Sequence, residues 1–154
     1  MQLPELNFPV KYQFRLRKRE NHPSIFCPLR KKWLVLTPEE WVRQHIIQYL
    51  IQNKNYSLTS MKAEHPVHIN GLNQRIDLLV YSKSTPLILI ECKKPSVPIT
   101  QKTLDQAMRY NLIIKAKYIY LSNGFQHIIA EVNQTEQEGL IFHQELPSLS
   151  DFPA

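Results

Sequence analysis

The chain has 154 residues, 43% apolar and 21% charged, with a formal net charge of +6. That length and balance fit one ordinary globular domain, and no apolar stretch approaches the roughly 18 residues that a membrane span requires. Pro4, Glu5 and Asn7 stand where a secretion signal would place basic and then apolar residues, so a cytoplasmic protein with no membrane partner is expected.

The charge is unevenly placed. Residues 1–36 carry eight Lys or Arg against two Glu, whereas the remainder carries eleven of each sign. Clustered cations gain affinity for a polyphosphate by releasing its counterions, so Arg15, Arg17, Lys18, Arg19, Lys31 and Lys32 are expected to face DNA. Within this extension Tyr12, Phe14 and Leu16 alternate with polar residues, as in a half-exposed strand. Asn21-His22-Pro23 reads as a turn and 25–36 as a second extended segment. Tyr12, Phe14, Trp33 and Trp41 lie among the cations, placed either to stack on bases or to pack in the core.

Thr37-Pro38-Glu39-Glu40 opens a helix, with Thr at the N-cap, Pro at the first helical position and Glu40 spaced to close a capping box. Over 38–53, Trp41, Val42, His45, Ile46, Tyr49 and Leu50 make a buried face, which leaves Arg43, Gln44 and Gln48 to look outward. Arg43 is accordingly assigned to DNA contact. The segment 57–69 reads as one or two strands ending at the Asn70-Gly71 turn. Strands over 75–81 and 87–93 follow, joined by the five-residue loop Ser82-Lys83-Ser84-Thr85-Pro86. Thr100 caps a helix over 101–115, and 118–122 and 125–132 are strands around Asn123-Gly124. The expected order is αβββαββ behind a β extension: one domain, with residues 1–36 as extension, 37–132 as core and 133–154 as tail.

The hairpin concentrates chemistry. Pairing Tyr81 with Leu87 sets Asp77 opposite Glu91 and Arg75 opposite Lys93, and side chains directly opposite share a face. Lys93 lies two residues after Glu91 and joins that face, while Cys92 points into the core. Two facing carboxylates repel unless a cation lies between them. Mg²⁺ or Mn²⁺ suits such a pair, because Mg²⁺ is held by one or two carboxylates with waters and phosphate oxygens, and the Cys92 carbonyl adds a ligand. Lys93 would then orient water or stabilise charge on phosphorus oxygens. The structural alternative is a half-buried salt bridge of Lys93 with Asp77 or Glu91.

Arg75-Ile76-Asp77-Leu78-Leu79-Val80 followed by Leu87-Ile88-Leu89-Ile90-Glu91-Cys92-Lys93-Lys94-Pro95 resembles the hairpin of PD-(D/E)xK nucleases. Together with 36–44, Arg75-Ile76-Asp77, Glu91-Cys92-Lys93 and Asp105-Gln106-x-x-Arg109-Tyr110-Asn111, the pattern is similar to the type I restriction enzyme R-protein N-terminal domain over roughly residues 30–132. The resemblance implies a restriction-endonuclease-like mixed sheet flanked by helices and metal-dependent DNA cleavage by Asp77, Glu91 and Lys93. It gives Gln106 a catalytic place, with Tyr110 four residues on and Lys94 beside the site as DNA contacts. It also implies a Glu from the first helix, for which Glu39 is preferred because Glu40 has the capping role. No phosphate loop of the Gly-x₄-Gly-Lys-Ser/Thr kind occurs, so the implied partners are DNA and restriction-system subunits that include a separate translocase. Self-association is left open.

Other signals are weaker. Cys27 and Cys92 make neither a disulfide framework nor a zinc spacing, and His65 and His68 flank Pro66 in an extended segment with no third ligand nearby. The competing reading is a DNA-binding or interaction module that keeps the fold without catalysis.

Overall fold

The computed structural model describes residues 2–133 and 139–152. Strands β1 (Leu16–Arg19), β2 (His22–Cys27) and β3 (Lys32–Val35) form a small antiparallel sheet. Helix α1 (Pro38–Gln52) leads through a single 3-10 turn into β4 (Met61–Ile69), β5 (Leu72–Ser82) and β6 (Thr85–Cys92). Helix α2 (Gln101–Ile114) then crosses to β7 (Tyr118–Ser122), β8 (His127–Val132) and β9 (Leu140–His143). The main sheet is six-stranded and mixed, ordered β4-β5-β6-β7-β8-β9, with β6 and β7 parallel and every other pair antiparallel.

A parallel pair needs a long crossover, and α2 supplies it. One core lies between the sheet and α1, where Val42, Ile46 and Leu50 meet Leu78, Val80, Ile88 and Ile90. The other lies between the sheet and α2, where Leu104 and Ala107 meet Leu79, Leu89, Ile119 and Leu121. Covered on both faces, β6 and β7 read as continuous apolar runs rather than alternating ones. Full burial of a side chain such as Ile46 or Leu89 stabilises the fold by roughly 1.5–3 kcal/mol.

The structure departs from the sequence reading in four places. The extension holds three short strands instead of two longer ones, because the chain reverses at Glu20 and again at Lys31, both with positive φ. Residues ahead of β1 wrap the body as a strap: Asn7 N–H donates to the Gly124 carbonyl at 2.8 Å, and Trp41 Nε1 donates to the Pro4 carbonyl at 2.9 Å. Gly124, at φ +91°, accepts this close approach, since a Cβ there would meet Leu6 at 2.8 Å.

The expected tail contains β9, which extends the sheet beyond β8 and gives αβββαβββ after the small sheet. The rest of that tail includes 134–138 and 153–154, which lie outside the described residues. The β5–β6 connection is a two-residue loop, Lys83-Ser84, both with positive φ as a primed hairpin turn requires. A bulge then leaves Leu87 without a cross-strand partner, between the Tyr81–Pro86 and Val80–Ile88 pairs. The shorter loop and the bulge offset each other. From Val80 inward the register equals the expected one, and its continuation sets Asp77 against Glu91.

Finally, α1 is buried nearly all round, because the strap and the small sheet cover what the main sheet does not. Arg43 and Gln44, expected to look outward, are 8% and 0% exposed.

Candidate active site

Glu91 and Lys93 are carried by the end of β6, where the strand continues along β7 through a bond from Lys93 N–H to the Ser122 carbonyl at 2.8 Å. Asp77 sits on the neighbouring β5. Its Oδ2 accepts from the Cys92 N–H at 2.7 Å and its Oδ1 from Arg43 Nη2 at 2.7 Å, so the carboxylate is fixed at both oxygens.

Glu91 is in a different state. It is 8% exposed, and its Oε1 is buried with no hydrogen-bond partner among the described residues. Burial, and after it the charge of Asp77, pushes its carboxyl up to about 9, with Lys93 opposing weakly. Such a group is protonated near neutral pH unless another cation arrives. Cys92 is fully buried on the α1 side, and burial holds its thiol neutral.

Arg43 is the organising cation. Nη1 donates to Glu40 Oε1 at 2.6 Å, while Nη2 reaches Glu39 Oε1 at 3.2 Å as well as Asp77. Burial opposes its charge, but Asp77 and Glu40 outweigh burial and keep it protonated. The outward placement expected for it is therefore corrected: the guanidinium is spent inside the protein. Glu40 also departs from expectation. Thr37 Oγ1 does accept from the Glu40 N–H at 3.0 Å, but the Glu40 carboxylate binds Arg30, Arg43 and Gln44 instead of returning to the cap. Charged and amide donors outcompete a single backbone N–H.

Glu39 is half-exposed beside this network. Its carboxyl is raised by burial and by Asp77, with Arg43 and Lys93 pulling the other way. From α2, Gln106 Nε2 donates to Tyr110 OH at 3.0 Å, and Tyr110 OH approaches Gln74 Oε1 at 3.5 Å. Burial raises the Tyr110 phenol, and Glu91 is the next influence on it, which puts this pair near the β6 carboxylate. Lys94 is exposed just beyond. The structure thus gathers Asp77, Glu91, Lys93 and Glu39 at one end of the sheet, with Gln106 and Tyr110 near them on α2. Arg15, Arg17, Lys18, Arg19, Lys31 and Lys32 lie apart, on the small sheet and its turns. The sequence reading missed Arg30, Gln44 and Gln74; the Glu39-Glu40-x-x-Arg43-Gln44 spacing, with its i+3 and i+4 pairs, was the available signal.

Among the described residues, no three His, Cys, Asp or Glu side chains come together as a cage for a metal ion. A site for Mg²⁺ does not need one. Asp77, Glu91 and the Cys92 carbonyl are the groups at hand, and the unpartnered Oε1 of Glu91 fits a cation.

The family described as type I restriction enzyme R protein N terminus matches residues 38–147. The chain belongs to this family. As a type I R-protein N-terminal domain it is associated with restriction systems, and the matched region starts with α1, includes every residue gathered at the sheet end, and leaves out the small sheet. No curated protein matches the chain. No helix among the described residues of this R-protein domain is long and apolar enough to cross a membrane.

Proposed function

We propose that the chain is a metal-dependent endodeoxyribonuclease domain of the PD-(D/E)xK kind, with a restriction-endonuclease-like fold, that hydrolyses phosphodiester bonds of DNA in the cytoplasm. One observation carries the reading: a buried Glu91 oxygen with no partner, beside Asp77 and two residues before Lys93. Two carboxylates share a poorly solvated place, and one oxygen of the pair has no partner among the described residues. A cation offsets that cost.

In this reading Asp77, Glu91 and the Cys92 carbonyl hold Mg²⁺ or Mn²⁺, which when bound would polarise a phosphate oxygen and activate water. Lys93 donates to the phosphate oxygens as charge grows on them. Gln106, held by Tyr110, orients the scissile strand, and Glu39 on the open side of the cluster receives the proton from water. Translocation would belong to a separate subunit.

A second reading has its own support. Asp77 already has a protein cation, Arg43, on one oxygen and an N–H on the other. A carboxylate satisfied in this way suits a module that keeps the fold and only binds. Incubation of supercoiled and single-stranded DNA with the full chain and Mg²⁺ or Mn²⁺ separates the two. The nuclease reading expects metal-dependent breaks that disappear in Asp77→Ala and Lys93→Ala; intact DNA under every metal overturns it.

A further inference from the structure

The small sheet lies outside the region shared with the family and has its own pattern of charge. Its inward face carries Ile25 and Cys27, both fully buried. Its outward face follows from alternation and register: Arg15 just ahead of β1, Arg17 and Arg19 on it, Phe26 on β2, Trp33 and Val35 on β3. Arg15 lies over the Phe26 ring at 4.4 Å and over Trp33 at 5.4 Å, and Arg17 lies over Trp33 at 4.1 Å. Among the described residues, none of these arginines, and none of Lys18, Lys31 and Lys32 around them, forms an ion pair.

We infer that this outward face is a docking platform for the phosphodiester backbone of nucleic acid, read without regard to sequence. A guanidinium stacked on an aromatic ring spends its face there and keeps its N–H edges for acceptors in its plane. Phosphate offers two such acceptors. Stacking also holds the long side chain in place before binding, which lowers the entropy lost on association. Because the rings are already covered by arginines, the contact is made by the guanidinium edges to phosphate and not by bases stacking on Phe26 or Trp33.

The platform is tied to the carboxylate cluster. Arg30, in the β2–β3 turn, binds Glu40 at 3.2 Å; Glu40 binds Arg43, and Arg43 binds Asp77. A strand held on the small sheet is thereby kept in a fixed relation to the sheet end. The inference deepens the proposed function, since it names how that site would receive its substrate, but it is tested without metal.

Fluorescence anisotropy of a labelled duplex and of its separate strands, with the full chain in EDTA over a range of salt, is the experiment. Each phosphate contact contributes about 0.9 to the slope of log affinity against log salt for duplex DNA and about 0.7 for a single strand. The Arg15→Gln/Arg17→Gln/Arg19→Gln variant should lower the duplex slope by about 2 to 3 and weaken binding at least about tenfold at low salt. Arg19→Gln alone, at an exposed residue with no ring beneath it, should lower the slope by about one. A control that removes the same charge elsewhere, Lys62→Gln/Lys102→Gln/Lys117→Gln, should keep the wild-type slope. An equal fall in the control, no fall in the arginine variants, or equal affinity for polyglutamate overturns the inference. Tighter binding of either DNA form supports it and tells which form seats there. Loss of metal binding or of cleavage leaves this result untouched, so the two readings fail separately.

Discussion

Arg43 Nη2 stands 2.7 Å from Asp77 Oδ1, and this pair links the first helix to the carboxylate end of the hairpin. The same guanidinium holds Glu40 at 2.6 Å. One protein cation therefore neutralises a carboxylate on α1 and another on β5. Removing it leaves Asp77, poorly exposed, without its cation and Glu40 with Arg30 alone. Arg43→Met should cost about 3–5 kcal/mol of folding stability, as loss of one partner of a buried ion pair does. Arg43→Lys should recover only part of this, because an ammonium cannot reach both carboxylates as a fork does. Urea denaturation of the purified chain measures both.

Glu91 gives a pH signature. Its carboxyl is raised from 4.5 to about 9, so between those values the folded protein binds a proton that the unfolded chain has released. Stability from this group is complete below the unfolded value and is lost as pH rises through the folded one. In EDTA, urea midpoints should therefore fall from mildly acidic to alkaline pH. Glu91→Gln, neutral throughout, should flatten that fall; an unchanged profile in the variant would show that the slope arises elsewhere.

Lys93 is half-exposed, and its ammonium opposes the upward shifts of Glu39 and Glu91. Lys93→Ala should leave the unfolding free energy within about 0.5 kcal/mol of wild type. If the chain cleaves DNA, the same change should slow cleavage by about a hundredfold or more, the usual effect of deleting a donor to a developing oxyanion. A large loss of stability with little loss of cleavage would return Lys93 to a structural salt bridge.

The β5–β6 turn tests how the register is set. Lys83 and Ser84 both have positive φ, where Asn and Gly are the favoured residues. Lys83→Asn/Ser84→Gly should stabilise the protein by about 0.5–1 kcal/mol, the relief of left-handed strain less the added flexibility of the unfolded glycine, without moving the site, since the bulge at Leu87 keeps the inner register. A shift in metal or DNA binding would indicate that the register depends on the turn itself.

That turn also explains what the sequence revealed and what it hid. The elements that carry the site were legible because their signals are local: Thr37-Pro38 opens α1, Asn70-Gly71 turns β4 into β5, and Thr100 precedes α2. Lys83-Ser84 has no turn residue of the usual kind, so the pattern predicts too long a loop, yet the facing of Asp77 and Glu91 survives because a bulge offsets the difference. The outward placement expected for Arg43 fails for a different reason. Helical periodicity assigns one buried face, whereas the strap and the small sheet bury α1 on its remaining sides, and such coverage is long-range. Among the described residues β9 pairs with β8 alone, at the sheet edge, so short-range pattern does not separate it from a tail.

Calorimetric titration of the full chain with Mg²⁺ and Mn²⁺, at neutral pH in two buffers of different ionisation enthalpy, tests the central claim most directly. Binding at one site with release of a proton, abolished in Glu91→Gln and in Asp77→Asn, is the predicted result, because the metal would displace the proton that burial leaves on Glu91. No binding of either ion by a folded wild-type chain, or equal binding by both variants, would contradict it and leave Asp77 and Glu91 as structural carboxylates.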